Sequence, residues 1–261
     1  MFKIFTKRES EIFKQLKKSK YLSNIKDIES QFMTNEHIIK YRYKDFDLFI
    51  NNEASALYHI VNSVQKIENL ANSIILEDCN IIFDIGANVG LFTFFSNLRY
   101  NNANYYLFEA DPNLIKIIKQ NCKQVSNLFI NNVAISNLNS EEVTFYINND
   151  SAQTNSTLRE NVELFGNNIK SINVRATTLD DFCTKNNINV IDVLKIDIQG
   201  GELDALLSGL NIIRNIKCMQ LELCFGFNDA LKLAAFVEKH FNRFEIVNQV
   251  YQGFDINPYK N

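Results

Sequence analysis

The sequence predicts an α/β fold with a mostly parallel, doubly wound sheet and helices on both faces of that sheet. Three apolar runs without regular polar alternation, at 81–85, 105–109 and 190–197, are typical of parallel strands that are buried on both faces. Each run has an acidic residue at or near its carboxyl end, and a helical pattern follows it. Such an alternation of strands and helices indicates one large α/β domain, which a chain of 261 residues can form.

The composition suits a protein with a large core, since 46% of the residues are hydrophobic and 21 of them are Phe. The net charge of −3 argues against a nucleic-acid partner, because such proteins usually carry a basic surface. No apolar run is long enough for a signal peptide or a membrane span. We therefore expect a cytoplasmic protein without integral membrane contact.

The cysteines and histidines predict neither a disulfide framework nor a metal site. The cysteines are scattered, odd in number and without C-x-x-C spacing, which is typical of buried thiols in a reducing compartment. They are Cys79, Cys122, Cys183, Cys218 and Cys224.

We expect residues 1–52 to form an N-terminal extension and residues 53–261 to form the main domain. The first 35 residues are rich in lysine and have an apolar stripe at helical spacing, which predicts a cap helix with its lysines in water. The stripe consists of Ile12, Phe13 and Leu16. A patch for anionic substrates or for a membrane surface is the alternative. A hairpin is predicted at 38–50 and a helix at 53–76.

Strands and helices alternate from residue 81 onward. The predicted strands are 81–85, 105–109, 128–135, 142–147, 174–178, 190–197, 219–225, 244–247 and 250–251. The predicted helices lie near 90–98, near 112–122, after Thr178, along the apolar face of Leu203, Leu206, Leu207 and Leu210, and at 231–241. The Asn-rich segment 148–168 is either a mobile surface loop or a loop that orders around a substrate, with Ser156 and Thr157 as candidate hydroxyls.

The turn after the first core strand contains Gly86 and Gly90, spaced G-x-x-x-G. Such a turn between a strand and a helix lets a nucleotide-like ligand approach the backbone. The spacing differs from the G-x-G-x-x-G of NAD-binding turns, and the preceding Asp84 would repel a pyrophosphate. The same carboxylate would attract a cation, such as the amino group of S-adenosylmethionine. Alternatively, Asp84 caps the turn and the glycines only tighten it.

A second acidic residue supports nucleoside binding. Glu109 ends the next strand, 23 residues after Gly86, close to the ~20 expected for the acid that binds ribose hydroxyls. Val133 and Ala134, at the end of the third strand, would contact an adenine ring. Together, the glycine turn and Glu109 favour a nucleoside ligand over a purely structural turn.

Four segments in this order resemble the FkbM-type methyltransferases, over roughly residues 80–225. They are Asp84 to Gly90, Phe108 to Pro112, Thr178 to Asp181 and Lys195 to Glu202. The resemblance implies a class I Rossmann-like fold with a seven-stranded sheet, S-adenosylmethionine as the cofactor and methyl transfer to oxygen. It also implies a sugar or glycan acceptor, since family members often decorate sugars, capsules, lipopolysaccharide or polyketides.

The same resemblance implies a set of cofactor-binding residues. Glu109 would hold the ribose, and its neighbour Ala110 would also contact the cofactor. Many family members have Glu at the position of Gln199, which in this chain is a hydrogen-bonding residue and not a base. The residues implied for the methionine part of the cofactor are Asp84, Gly86, Ala87, Asn88 and Gly90.

Asp197 is the predicted general base for a hydroxyl acceptor. It ends a core strand beside the crevice in which open α/β sheets bind ligands. Alternatively, Asp197 caps the next helix or contacts the cofactor, and Glu202 or the helical His59 is the base. Asp197 and Glu222 would contribute to a divalent cation site if the reaction used one.

Several alternatives for the function stay open at this point. A phosphoryl-type oxygen on a capsule precursor is the second candidate for the methyl acceptor. An NAD-dependent oxidoreductase would use Glu109 on the ribose, but the chain lacks the usual glycine pattern. A non-catalytic module would bind S-adenosylmethionine without turnover. No residue pattern predicts the oligomeric state.

Overall fold

The structure, a computed structural model, describes residues 7–34, 37–53, 55–138, 140–149, 151–222 and 230–241. It begins with two helices and an antiparallel hairpin, namely α1 (Lys7–Lys18), α2 (Ile25–Met33), β1 (Ile38–Tyr43) and β2 (Phe46–Asn51). The predicted apolar stripe of α1 is buried, and it joins the hydrophobic cluster that also contains Phe92 and Ile118. Helix α1 therefore packs on the core as a cap helix, while the division of the chain near residue 52 stays a prediction.

Two consecutive helices, α3 (Ala56–Asn62) and α4 (Val64–Asn72), occupy most of the segment for which the sequence predicts a single helix. Helical hydrogen bonds continue through the junction, since the Ser63 N–H donates to His59 O and the Ile67 N–H donates to Ser63 O. Both helices contribute to the core, because Leu57 and Val64 are fully buried.

The rest of the described chain alternates strands and helices. The strands are β3 (Ile81–Ile85), β4 (Asn104–Phe108), β5 (Leu128–Asn131), β6 (Ala134–Ile135), β7 (Glu142–Asn148), β8 (Ile169–Thr177), β9 (Ile191–Ile196) and β10 (Ile216–Leu221). The helices are α5 (Leu91–Asn97), α6 (Ile115–Asn121), α7 (Arg159–Glu163), α8 (Leu179–Lys185), α9 (Glu202–Leu207) and α10 (Ala230–His240), with 3-10 turns at Ala152–Thr154 and Ile212–Asn215. None of the described helices is both long and apolar enough to cross a membrane.

Five parallel strands form the central sheet of the described residues, in the order β10-β9-β3-β4-β5. Ile82 and Val193 enter one hydrophobic cluster, whereas Phe83 and Leu194 enter another, because successive side chains of a strand point to opposite faces. Both faces of the sheet are therefore covered, and the predicted α/β class with a parallel sheet is confirmed.

The strand order contains one reversal. The chain runs outward from β3 to β5 and then returns to place β9 on the other side of β3. Such a reversal opens a crevice between the carboxyl ends of the two central strands, here β3 and β9, where open α/β sheets bind their ligands.

The predicted count of seven strands stays a prediction. The central sheet has five strands within the described residues. The closing strands expected at 244–247 and 250–251 lie outside those residues, as does most of the segment between β10 and α10.

A second sheet has three strands, in the order β6-β8-β7. Strand β8 pairs in parallel with β6 and antiparallel with β7, and Val143, Phe145 and Val174 form its small core. The extra strand predicted at 142–147 is thus confirmed. The polar segment that connects β7 to β8 contains the 3-10 turn at Ala152–Thr154 and helix α7.

Three local predictions are wrong. Helix α9 ends at Leu207, so Leu210 lies beyond the helix. Leu207 and Leu210 are 37% and 47% exposed and do not belong to a buried face. Strand β10 ends at Leu221, and Glu222 therefore follows the strand instead of lying inside it. Helix α6 begins at Ile115, three residues after the start predicted near residue 112.

Candidate active-site cleft

A cleft of about 1010 Å³ opens at the carboxyl edge of the central sheet. The carboxyl ends of parallel strands meet at the same edge, which brings together residues that are far apart in the sequence. Those that line the cleft include Gly86, Ala87 and Asn88 after β3, Glu109 and Ala110 after β4, Asp197 and Gln199 after β9, and Glu222 after β10.

The glycine turn after β3 is fixed to its two neighbouring strands. The N–H groups of Gly86 and Ala87 both donate to Phe108 O, at 3.0 and 3.1 Å. On the other side, a Cβ at Gly86 would lie 1.8 Å from the carbonyl oxygen of Asp197. Gly86 also has a φ of 76°, in the left-handed region that favours glycine. Glycine is therefore required here by the close approach of the turn after β9.

Asp84 lies behind the turn and faces a lysine of the chain itself. Its side chain is 1% exposed, accepts a hydrogen bond from Thr93 Oγ1 at 2.8 Å, and has Lys195 Nζ 3.1 Å from its Oδ1 atom. Lys195 also donates to Gly86 O at 2.6 Å. Burial alone would lower the pKa of Lys195, but Asp84 and Asp197 together raise it, so the amine stays charged. The binding of a ligand cation by Asp84 stays a prediction; the cation that it contacts in the structure is Lys195.

Glu109 faces the cleft at the end of β4. Its Oε2 atom accepts from the Asn88 N–H at 2.7 Å, and its Oε1 atom accepts from the Asp111 N–H at 2.8 Å. Burial raises the pKa of Glu109 to about 8, despite these two hydrogen bonds. When Glu109 is ionised, each carboxyl oxygen keeps a second lone pair that can accept a hydrogen bond from a hydroxyl of a ligand.

The other residues predicted for the cofactor divide into two groups. Ala110, Val133 and Ala134 line the cleft, together with Phe145 of β7. Gly90 instead faces α6, since a Cβ at this position would lie 2.9 Å from Cys122 Sγ. Gly90 thus allows α5 and α6 to pack closely, and its contact with a cofactor stays a prediction.

Asp197 and Glu222 form a carboxyl pair at the ends of β9 and β10. Gln199 Nε2 lies between them, 2.9 Å from Asp197 Oδ1 and 2.8 Å from Glu222 Oε2. Lys195 Nζ lies 3.9 Å from Asp197 Oδ2. Within the described residues, no group of three or more His, Cys, Asp or Glu side chains is arranged to hold a metal ion.

The two carboxyl groups of this pair differ in their affinity for protons. Burial, and then the charge of Asp197, raise the pKa of Glu222 well above its usual range. Burial also acts to raise the pKa of Asp197, but its contacts with Glu222, Lys195 and Gln199 outweigh burial and hold that pKa below its usual value. Asp197 is therefore the ionised member of the pair, as a general base must be.

The second predicted base, His59 on α3, also lines the cleft but is only 3% exposed. Neither ring nitrogen meets a hydrogen-bond partner with good geometry among the described residues. Burial lowers the pKa of His59 to about 4, and the neighbouring Gln153 side chain only partly offsets this effect. The imidazole is therefore neutral at pH 7 and is a weaker base than an exposed histidine. Its catalytic role stays a prediction.

The polar segment after β7 forms a wall of the cleft and is held by buried polar contacts. Ser156 is fully buried, and its Oγ donates to Gln199 O at 3.0 Å. Asn161 Nδ2 donates to the same oxygen at 2.9 Å. Thr157 lines the cleft, as expected of a substrate-facing hydroxyl, whereas Ser156 anchors the segment.

Two functional features were not recognised in the sequence. Lys195 joins the turns after β3 and β9, and the available signal was a charged residue within an apolar strand, which needs a buried partner. Asn161 fixes the polar segment to Gln199, but no local pattern around this residue indicates that contact.

An open parallel sheet with an acid-lined cleft at its reversal point is an architecture in which α/β proteins bind ligands. The chain belongs to the FkbM methyltransferase family, since residues 84–250 match the methyltransferase FkbM domain. The resemblance inferred from the four sequence segments is thus confirmed.

The solved structures that are similar to this chain at low identity include two methyltransferases. A precorrin-6y C5,15-methyltransferase from Geobacter metallireducens GS-15 has 14% identity over 67% of this chain and 71% of its own, with a TM-score of 0.41. A candidate RNA methyltransferase, PH1948 from Pyrococcus horikoshii, has 12% identity over 69% of this chain and 67% of its own, with a TM-score of 0.38. Neither likeness bears on the function of this chain. No curated protein matches it.

Proposed function

We propose that this chain is a cytoplasmic, S-adenosylmethionine-dependent O-methyltransferase that acts on a hydroxyl of a sugar or glycan precursor, as in capsule or lipopolysaccharide modification. One observation carries the proposal: Glu109 and Asp197 face the same cleft from the ends of β4 and β9, on either side of the glycine turn. Such a pair supplies one acid for the ribose of a nucleoside cofactor and another for the acceptor. Membership of the FkbM family supports methyl transfer.

The residues of the cleft fit S-adenosylmethionine. Glu109 is a buried acid with spare lone pairs, as ribose hydroxyls require. Ala110, Val133 and Ala134 offer small apolar contacts for the adenine ring. When bound, this cofactor supplies a methyl group on a positively charged sulfur.

The methionine part of the cofactor would lie along the turn after β3. Gly86, Ala87 and Asn88 line the cleft there, and the backbone of the turn is already fixed by Phe108 O and Glu109. Asp84 would support this turn from behind through Lys195, which donates to Gly86 O.

The carboxylate of Asp197 favours a neutral acceptor. The described wall of the cleft has two lysines, Lys66 and Lys195. Two of its acids, Glu109 and Glu222, have raised pKa values and contribute little negative charge near neutral pH. Lys195 is already paired with Asp84. An anionic phosphoryl group beside Asp197 would be repelled, whereas a hydroxyl can donate its hydrogen bond to that carboxylate. This argument ranks a sugar hydroxyl ahead of a phosphoryl-type oxygen.

Asp197 would accept the proton that the acceptor hydroxyl loses. Its carboxyl group is the ionised member of the pair with Glu222, and Gln199 fixes its position. Thr157 and the rest of the segment after β7 would exclude water and orient the acceptor, which supplies much of the rate enhancement in such a displacement.

Isothermal titration with S-adenosylhomocysteine, with NAD as the competitor cofactor, tests the cofactor assignment. We expect micromolar binding of S-adenosylhomocysteine, its loss in Glu109→Ala, and its retention in Glu77→Ala, which removes an exposed glutamate. Preference for NAD would support an oxidoreductase and overturn the proposal, as would the absence of binding.

Transfer of label from S-adenosylmethionine carrying a ¹³C methyl group tests the acceptor. A panel of nucleoside diphosphate sugars is suitable, because each member offers both hydroxyls and phosphoryl oxygens. We expect a labelled methyl ether without coupling to phosphorus. A methyl signal that couples to ³¹P would favour the phosphoryl acceptor, and binding of cofactor without label transfer would favour a non-catalytic module.

A further inference from the structure

Gln199 uses both its backbone and its side chain to connect parts of the cleft. Its side-chain amide donates to Asp197 Oδ1 and Glu222 Oε2, at 2.9 and 2.8 Å. Its carbonyl oxygen accepts from Ser156 Oγ and Asn161 Nδ2, at 3.0 and 2.9 Å. One residue thus joins the turn after β9, the end of β10 and the segment after β7.

The backbone at Gln199 has an unfavourable conformation that these contacts maintain. Its φ is 58°, a left-handed value that costs a residue with a Cβ roughly 1–2 kcal/mol. The next residue, Gly200, has a φ of 108°, and a Cβ there would lie 1.8 Å from Asn161 Nδ2. Such strain persists where the surroundings hold it, and it concentrates at functional sites.

The carboxyl pair needs a donor between its members. Asp197 and Glu222 interact directly. Two carboxylates in contact repel each other, so such a pair tends to keep one proton. An amide NH₂ that faces both groups satisfies one oxygen of each and carries no charge, so it fixes their geometry without neutralising Asp197.

We propose that Gln199 is a positioning residue for methyl transfer: it holds Asp197 and Glu222 as a pair that shares one proton, with the Asp197 carboxylate facing the acceptor. The role of Gln199 in methyl transfer rests on the proposed function. The geometry of the pair can be tested without any acceptor.

The test is a pH titration of the full chain with ¹³C-labelled Asp and Glu carboxyl groups, followed by NMR in the presence of S-adenosylhomocysteine. Wild-type protein should show two separate steps for the pair. Gln199→Met removes the bridging amide, and we expect the lower step to rise by about 1–2 pH units, the effect of losing a hydrogen bond to a charged group. Gln124→Met, an exposed site away from the cleft, should leave both steps unchanged.

Gln199→Asn is the second variant, because Asn tolerates a left-handed backbone but is one methylene too short to bridge both carboxyl groups. It should shift the same step even if Gln199→Met folds poorly. Unchanged steps in a folded variant would show that Gln199 has only a structural role, and the inference would be wrong. Because the steps are measured on the protein itself, this result is distinct from a failure of S-adenosylhomocysteine to bind, which would instead overturn the proposed function.

Discussion

Lys195 Nζ lies 3.1 Å from Asp84 Oδ1, and these two side chains are 7% and 1% exposed. The pair crosses the reversal point of the sheet, since Asp84 belongs to β3 and Lys195 to β9. Because the same amine donates to Gly86 O, the ion pair also sets the position of the glycine turn. The stability of the cleft therefore depends on a buried charge pair that lies behind the glycine turn.

Removal of Lys195 should destabilise the protein strongly. Lys195→Met leaves Asp84 buried without its cation, which typically costs roughly 3–5 kcal/mol in the free energy of unfolding. Lys40→Met breaks an exposed ion pair with Asp47 and should cost less than about 1 kcal/mol. Urea unfolding curves measure both values.

The double variant Asp84→Asn with Lys195→Met separates charge from packing. It removes the uncompensated carboxylate, so we expect it to be more stable than Lys195→Met alone. If the double variant is no more stable than the single one, the loss comes from packing or from the hydrogen bond to Gly86 O, and the buried charge is not its cause.

Gly86→Ala should be far more damaging than Gly201→Ala. At Gly86, the new Cβ meets the Asp197 carbonyl oxygen at 1.8 Å, so the cost should exceed the ~1–2 kcal/mol of a left-handed alanine alone. At Gly201, φ is −89° and the nearest atom is Ile198 Cδ1 at 3.1 Å, the end of a flexible side chain. Thermal unfolding of both variants checks the difference, and equal effects would contradict the close approach of the two turns.

Glu109 should make the protein without ligand less stable as the pH rises. Its folded-state pKa of about 8 lies above the usual 4.5, so between these values the folded state holds a proton that the unfolded state has lost. Stability from this group is complete below pH ~4.5 and falls by at most ~1.4 kcal/mol per pH unit up to pH ~8.

Glu109→Gln tests this dependence, because the amide does not titrate. The difference in unfolding free energy between wild-type and variant should shrink or change sign between pH 5 and pH 8. Glu77→Gln, at an exposed position, controls for the general effect of losing one charge. A difference that is constant with pH would mean that Glu109 is ionised throughout.

The sequence predicts those parts of the fold that depend on local patterns. The buried runs of β3, β4 and β9 are apolar without alternation, and the acids at their ends follow directly from their positions. The contacts of Ser156 and Asn161 with Gln199 O join residues 43 and 38 positions apart, through a polar segment without periodicity. Local propensity contains no information about such contacts, since they depend on how the segment after β7 folds back on the turn after β9.

The partner of Asp84 shows a different limit of sequence analysis. Its carboxylate suggests a cation, and the sequence favours a ligand because strand and turn form a crevice there. The structure gives Asp84 the cation Lys195, which lies 111 residues later in the chain and is adjacent only because β9 pairs with β3. The type of interaction could be predicted, but the partner depended on the strand order.

His59 should make the protein less stable in acid. Its folded-state pKa of about 4 lies below the usual 6.5, so between these values the unfolded state binds a proton that the folded state does not. Stability from this group is complete above pH ~6.5 and is lost as the pH falls toward 4, by at most ~1.4 kcal/mol per pH unit.

His59→Asn removes the titration, so its difference from wild-type in unfolding free energy should be smaller at pH 5 than at pH 7. His37→Asn, at an exposed position, is the control, and the same pH-dependent difference in both variants would show that burial of His59 is not the cause.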